Sequence, residues 1–167
     1  ADLYSVGGTP ADAAMVGLGF VLAGETVDLV VSGANFGQNI GPSTLHSGTV
    51  GAAITAMQDG LPAIAISVGL NFAEARDGFP STLAVFDDAA DFVVSLIERL
   101  DRTRPADGSL MPRFTMINVN YPALEAADVA GARWATIGRD HGFRLRYEQD
   151  SESSDHVTLE FGSGSGE

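Results

Sequence analysis

A chain of 167 residues with 45% hydrophobic and 19% charged side chains suits one globular domain with a sizeable core. Its 22 acidic and 9 basic residues leave a net charge of −13, which excludes a protein that tracks the phosphate backbone of a nucleic acid polymer. No apolar run reaches the roughly 18–20 residues of a membrane helix, and the lack of cysteine excludes disulfide frameworks, thiolate catalysis and cysteine metal sites, a composition compatible with a cytoplasmic protein.

Along the chain, Thr9-Pro10-Ala11-Asp12 reads as a helix start. Thr9 is the N-cap, Pro10 takes the first helical position and Asp12 meets the positive end of the helix dipole. That helix is expected to run to about Ala23 and stop at Gly24. Residues 27–32 are nearly continuous in apolar character, as buried parallel strands are. From Ser32 the chain is expected to leave the strand through a loop with glycines at 33, 37 and 41, which permit positive φ and close approach of backbone to a ligand.

A second helix is predicted over 48–58 and a strand over 63–68. The spacing of Leu83, Phe86, Ala90, Val93, Val94, Ile97 and Leu100 predicts a long amphipathic helix over about 80–100, with Asp87 and Asp88 on its solvated face. Residues 105–108 read as a turn and residues 114–120 as a strand ended by Pro122. Beyond residue 132, segments 134–138, 143–147 and 156–161 alternate apolar and polar side chains, the pattern of antiparallel strands with one wet face. No internal repeat is present. Alternating strands and helices predict an α/β fold, three-layer and Rossmann-like, with a mostly parallel sheet flanked by helices and a C-terminal antiparallel β extension. The boundary is expected near residue 130, with a core over 1–130 and the extension over 131–167. A dinucleotide-binding fingerprint is absent, since no G-x-G-x-x-G follows a strand and opens a helix.

Two features carry chemistry. Asn35 falls beyond a strand's carboxyl end, the edge of open α/β sheets where ligands bind. Its amide oxygen is a hard donor for Mg²⁺, Mn²⁺ or Ca²⁺, although such an ion also needs carboxylates and waters, and an Asn there also serves as an ordinary turn residue. Ser47-Gly48-Thr49 opens a helix with a hydroxyl N-cap, and its unpaired N–H groups and positive dipole end favour a phosphate. Plain capping is the competing reading. The small residues Gly51, Ala52 and Ala53 leave that helix start open to approach. His46 reads as structural in preference to a proton donor, and Asn118 and Asn120 read equally as pocket lining or as strand-end hydrogen bonding. His141 and His156 read as surface or interface residues.

The blocks Tyr4-Ser5-Val6-Gly7-Gly8-Thr9-Pro10-Ala11-Asp12, Asp28-Leu29-Val30-Val31-Ser32-Gly33-Ala34-Asn35, His46-Ser47-Gly48-Thr49-Val50, Leu61-Pro62-Ala63-Ile64-Ala65-Ile66-Ser67 and Ile117-Asn118-Val119-Asn120-Tyr121-Pro122 follow one another in an order and spacing that resembles the SurE family. That family comprises metal-dependent 5′/3′-nucleotidases, also described as acid phosphatases, and the resemblance extends over roughly residues 3–161. It implies Asn35 as a metal ligand, Ser47, Gly48 and Thr49 as the phosphate-holding helix start, and Gly37 and Asn39 in supporting roles around the substrate. It also implies a divalent cation (Mg²⁺ or Mn²⁺, or Ca²⁺ in a crystal), a nucleoside monophosphate substrate split to nucleoside and phosphate, a cytoplasmic location, and a homodimer or homotetramer built through the β extension.

The family's two carboxylate ligands stand in an Asn-Asp-Asp-Gly run after an N-terminal strand, and no such run occurs here. Catalytic residues are therefore unassigned, and a fragment is the expected reading. The alternative is a truncated, inactive interaction or oligomerisation domain that keeps the anion pocket. Residues 162–167 have the composition of a flexible linker.

Overall fold

The computed structural model describes residues 2–139, 143–149 and 157–163. Ala63–Val68 forms a strand whose six residues are all buried, and it lies between Val30–Phe36 and Met116–Tyr121 in a three-stranded parallel sheet. In chain order these strands are β1, β2 and β3. A helix covers each face of β2, and the side-chain sizes along β2 decide which one. Ala63 and Ala65 point to one face, where Val50, Ala53 and Ala56 of helix α2 (Gly48–Gln58) close on them. Ile64, Ile66 and Val68 point to the other, against Val85 and against Ala89 and Val93 of helix α4 (Phe86–Arg102). Burying each Ile or Val contributes about 1.5–3 kcal/mol. Helix α1 (Pro10–Val16) packs beside α2, so helices flank the sheet on both faces in three layers.

The expected capping of α1 is found in full. Thr9 Oγ1 accepts from the Asp12 N–H at 3.3 Å, and the Asp12 carboxylate accepts from the Thr9 N–H at 2.7 Å. The Thr9 hydroxyl also donates to the Asp12 carboxylate at 2.7 Å, and that bond, with the one from the Thr9 N–H, holds the Asp12 carboxyl below its ordinary range. The helix does not run regularly to Ala23. After Val16 it continues as one wider turn, Gly17–Val21, in which the Leu22 N–H reaches the Gly17 carbonyl at 2.9 Å. Two glycines, Gly17 and Gly19, weaken the regular helix there.

β1 starts later than expected and runs further, through Asn35 and Phe36. Pairing with β2 slips between Ser32 and Asn35 and then resumes as Asn35↔Ser67 and Phe36↔Val68. The chain therefore bulges at Gly33 instead of ending the strand.

The predicted helix over 80–100 is two helices, α3 (Pro80–Ala84) and α4, broken at Val85. Glu74 caps α3 by accepting from the Ser81 N–H at 2.9 Å and the Ser81 hydroxyl at 2.8 Å, bonds that hold its carboxyl below the ordinary range. The buried stripe is Val85, Ala89 and Val93 with Phe92, Leu96 and Leu100 beside it, whereas Leu83, Ala90 and Val94 are exposed. Asp87 is exposed as expected, but Asp88 is half-buried and accepts from the Ala126 N–H at 3.0 Å.

β3 begins at Met116, since Phe114 takes φ 59° and stays exposed. Residues 134–138 form no strand, and Trp134 and Ile137 are exposed. Two further strands, β4 (Phe143–Gln149) and β5 (Val157–Ser163), pair antiparallel as a separate sheet. His141, His156 and residues 164–167 lie outside the described residues. Among the described residues no helix is long and apolar enough to cross a membrane.

Gly33 sits at φ +118°, and a β-carbon there would collide with the Ile66 carbonyl oxygen and come within 2.9 Å of the Ile66 side chain. Gly33→Val is expected to lower stability by about 2 kcal/mol or more. Urea unfolding monitored by circular dichroism checks this, and a midpoint equal to wild type would contradict the bulge geometry.

Candidate functional site

The site grows from the end of β1. Gly37 takes φ +112°, a conformation that favours glycine, and its N–H extends the pairing with β2 by donating to the Val68 carbonyl at 2.8 Å. The Asn35 Nδ2 donates to the Gly37 carbonyl at 2.7 Å, which leaves Oδ1 as the uncommitted atom of a half-buried amide. Asn35 thus closes β1 instead of standing in the loop beyond it.

Asn39 is 7% exposed, so its side chain is turned inward and does not line an open pocket. Its Nδ2 donates to the Ser67 Oγ at 2.7 Å, its N–H donates to the Asn120 Oδ1 at 2.7 Å, and its carbonyl accepts from the Asn118 Nδ2 at 2.8 Å. Asn118 and Asn120 therefore serve as strand-end hydrogen-bond partners of the loop.

A short 3₁₀ turn, Gly41–His46, then delivers the chain to α2. Ser47 caps that helix by accepting from the Val50 N–H at 3.2 Å, while the Gly51 N–H reaches the Ser47 carbonyl at 2.8 Å. The N–H groups of Gly48 and Thr49 remain without a partner among the described residues. Thr49 is buried as a residue, with 9% of its surface exposed. Gly48 is exposed, and a β-carbon on it would stand 3.0 Å from the Pro10 Cγ. The amino ends of α1 and α2 therefore lie side by side. At the first, the reciprocal cap of Thr9 and Asp12 satisfies the Thr9 and Asp12 N–H groups. At the second, two remain free. His46 is exposed beside Ser47.

Ser67 and Gln38 were not foreseen as site residues. Ser67 is fully buried at the end of an otherwise apolar strand, and that lone hydroxyl was the available signal. Gln38 Oε1 accepts from the Leu70 N–H at 2.8 Å and ties the loop to the end of β2, with no distinguishing pattern in the sequence. A cavity of about 630 Å³ lies between α4 and the open side of β3, lined by Phe92, Leu96, Leu100 and Tyr121 and also by Asn118 and Asn120, so these two asparagines are pocket lining as well as hydrogen-bond partners of the loop.

For a divalent cation the residues present fit one ligand position. Asn35 Oδ1 is a suitable oxygen donor, but among the described residues no group of three or more His, Asp or Glu side chains could hold a metal ion. The residues do not form a complete cation site.

A sequence model of the family described as Survival protein SurE matches residues 1–143. The chain belongs to the SurE family. Among curated SurE relatives, the 5'-nucleotidase SurE of Gloeobacter violaceus is 38% identical over 135 residues, covering 81% of this chain and 45% of the relative. The 5'-nucleotidase SurE of Anaeromyxobacter sp. is 40% identical over 136 residues, covering 81% of this chain and 46% of the relative. The solved Sure protein from Aquifex aeolicus shares the fold, with a TM-score of 0.65 at 24% identity over 94% of this chain and 56% of that one. The chain spans about half the length of the curated SurE relatives it matches. The SurE blocks legible in the sequence fall on the capped start of α1, the bulged end of β1, the start of α2, and strands β2 and β3.

Ser47→Ala leaves the Val50 N–H without its cap and is expected to cost about 1 kcal/mol, with Ser47→Gly costing only a few tenths. Chemical unfolding of the two variants checks this ranking. Equal losses would mean the hydroxyl is not the cap.

Proposed function

We propose that this chain carries the phosphate-binding side of a metal-dependent phosphomonoesterase that hydrolyses nucleoside 5′- or 3′-monophosphates to nucleoside and phosphate. One observation supports the reading above others: two unpaired N–H groups at the start of α2 stand on the same sheet edge as the uncommitted amide oxygen of Asn35. Curated relatives carrying the name 5'-nucleotidase support the substrate class.

In this reading the Gly48 and Thr49 N–H groups hold phosphoryl oxygens and take up the charge that grows on them during transfer. Ser47 keeps the helix start open, and Gly37 with Asn39 holds the loop in shape. Asn35 presents one oxygen to a divalent ion, Mg²⁺ or Mn²⁺ in solution or Ca²⁺ in a crystal, and further ligands come from parts of the family sequence that these residues do not span. Such an ion, when bound, polarises the phosphoryl group and lowers the pKa of a bound water. The same reading places the protein in the cytoplasm as a homodimer or homotetramer.

A second reading is favoured by the lack of a carboxylate cluster among the described residues: an inactive interaction or oligomerisation domain that binds phosphate without turning over its ester. The two separate in one assay. Phosphate release from 5'-AMP and 3'-AMP is measured with Mn²⁺ and again with excess EDTA, beside inorganic phosphate binding followed by NMR. The enzyme reading expects Mn²⁺-dependent release, and Asn35→Ala should reduce it by more than the roughly 10–100-fold typical of outer-shell partners. Phosphate binding without release supports the second reading, and absence of both overturns the pocket altogether.

A further inference from the structure

We infer that Asn120, assisted by Asn118 and Ser67, is the positioning residue of this site, fixing the loop that aims the Asn35 amide; the inference rests on the functional reading above. Strand register brings the parts together. Asn35 pairs with Ser67 and Ser67 pairs with Asn120, so the three stand at one level across the carboxyl edge of the sheet. The loop leaving β1 doubles back over that level and places Asn39 against Ser67 of β2 and Asn118 and Asn120 of β3.

The contact between Asn39 and Asn120 has two points. Asn120 Oδ1 accepts from the Asn39 N–H at 2.7 Å, and Asn120 Nδ2 donates to the Asn39 carbonyl at 3.1 Å. One side-chain amide thereby satisfies both backbone groups of a residue 81 positions away, as a neighbouring strand would. Asn118 adds a second donor to the same carbonyl at 2.8 Å, and Ser67 Oγ accepts the Asn39 side chain at 2.7 Å. Asn39 is buried and held by its N–H, its carbonyl and its side chain together.

From Asn39 the constraint passes back through Gln38 to Gly37, whose carbonyl holds the Asn35 Nδ2, and it acts there beside the Gly37 N–H bond to the Val68 carbonyl and the Gln38 bond to the Leu70 N–H. Forward, the loop leads through the 3₁₀ turn to α2, but that helix has its own cap at Ser47 and its own packing on Ala63 and Ala65. Asn120 therefore adds the anchor from β3 to the Asn35 side of the site, where β2 supplies the others, and leaves the α2 side in place. It touches neither and acts through the loop.

The isosteric change Asn120→Asp keeps the acceptor for the Asn39 N–H but turns a carboxylate oxygen toward the Asn39 carbonyl in place of a donor. Asn120→Ser removes both contacts, and Asn118→Ala removes one donor of two. The test records ¹⁵N–¹H spectra of the chain in EDTA, then titrates inorganic phosphate. Expected is a graded displacement of the Asn35 side-chain amide signal, smallest in Asn118→Ala and larger in Asn120→Asp and Asn120→Ser. The phosphate Kd read at the Gly48 and Thr49 amides should stay within about twofold of wild type, a selectivity that general destabilisation does not produce.

With 5'-AMP and Mn²⁺, kcat should fall on the order of 10–100-fold in Asn120→Asp while KM stays within about threefold. An unmoved Asn35 signal in folded Asn120→Asp overturns the inference, and so does a parallel loss of phosphate binding. If wild type releases no phosphate, the enzyme reading fails while the Asn35 signal still decides the positioning role. Should Asn120→Ser not fold, Asn120→Asp and Asn118→Ala carry the comparison.

Discussion

Everything in this molecule is referred to β2, a strand with no exposed residue. A strand buried on both faces cannot tolerate an unpaired backbone group, so it requires a neighbour on each side, and β1 and β3 meet that requirement. Its alternation of small and large side chains also assigns the two helical layers. Alanines at 63 and 65 let α2 approach closely, and isoleucines at 64 and 66 demand the wider apolar face of α4. α2 crosses from the end of β1 to the start of β2, a parallel neighbour, so its amino end stands at the carboxyl edge of the sheet. The N–H groups of Gly48 and Thr49 owe their place to that crossover.

The same alternation places Ser67 on the small-residue face, one step beyond Ala65, at the level where the strands end. A larger apolar residue there would fill the space that Asn39 enters. A small hydroxyl accepts the incoming amide instead, and the loop from β1 is pulled across the sheet. Core and site are thus continuous: the pattern that packs α2 becomes polar in its last member and anchors the loop. Burial of a network this polar is tolerable because its members are satisfied, with no buried side-chain nitrogen or oxygen left unpaired among the described residues.

Local chemistry was legible in the sequence, and so were the blocks that identify the family. Thr9, Pro10 and Asp12 announce α1, Ser47 announces α2, and residues 63–68 announce a buried strand, because each signal acts over three or four neighbouring positions. The misread elements depend on partners far along the chain. β1 continues past Ser32 because Ser67 and Val68 are there to pair with, and Gly33 absorbs the slip. The start of α3 follows from Glu74 capping Ser81 and from the left-handed turn at Phe79, and the break falls where Val85 leaves helical backbone values at φ −106° and ψ 15°, none of which alters the apolar spacing. Residues 134–138 alternate like a strand, yet alternation alone does not create an edge to pair with. The site was legible as a set of positions but not as a geometry: the inward turn of Asn39 follows from contacts across 28 to 81 residues.

One electrostatic consequence ties the site to the composition. Asn35, Gly37, Asn39, Ser47, Gly48 and Thr49 are all neutral, in a chain whose net charge is −13. On the proposed reading a phosphate monoester dianion would meet backbone dipoles alone, and a helix start offers the equivalent of about half a positive charge. About half a charge against two, inside a protein that repels anions at long range, gives weak and readily screened binding. The proposed divalent cation answers that deficit, which Asn35 alone cannot, since an amide oxygen contributes a dipole and no charge. In the proposed reading the backbone N–H groups on this half of the site hold the phosphoryl oxygens without competing with a cation for them. On this account affinity for the substrate and affinity for the ion rise and fall together, and the loop that Asn39 pins between them is where that coupling is set.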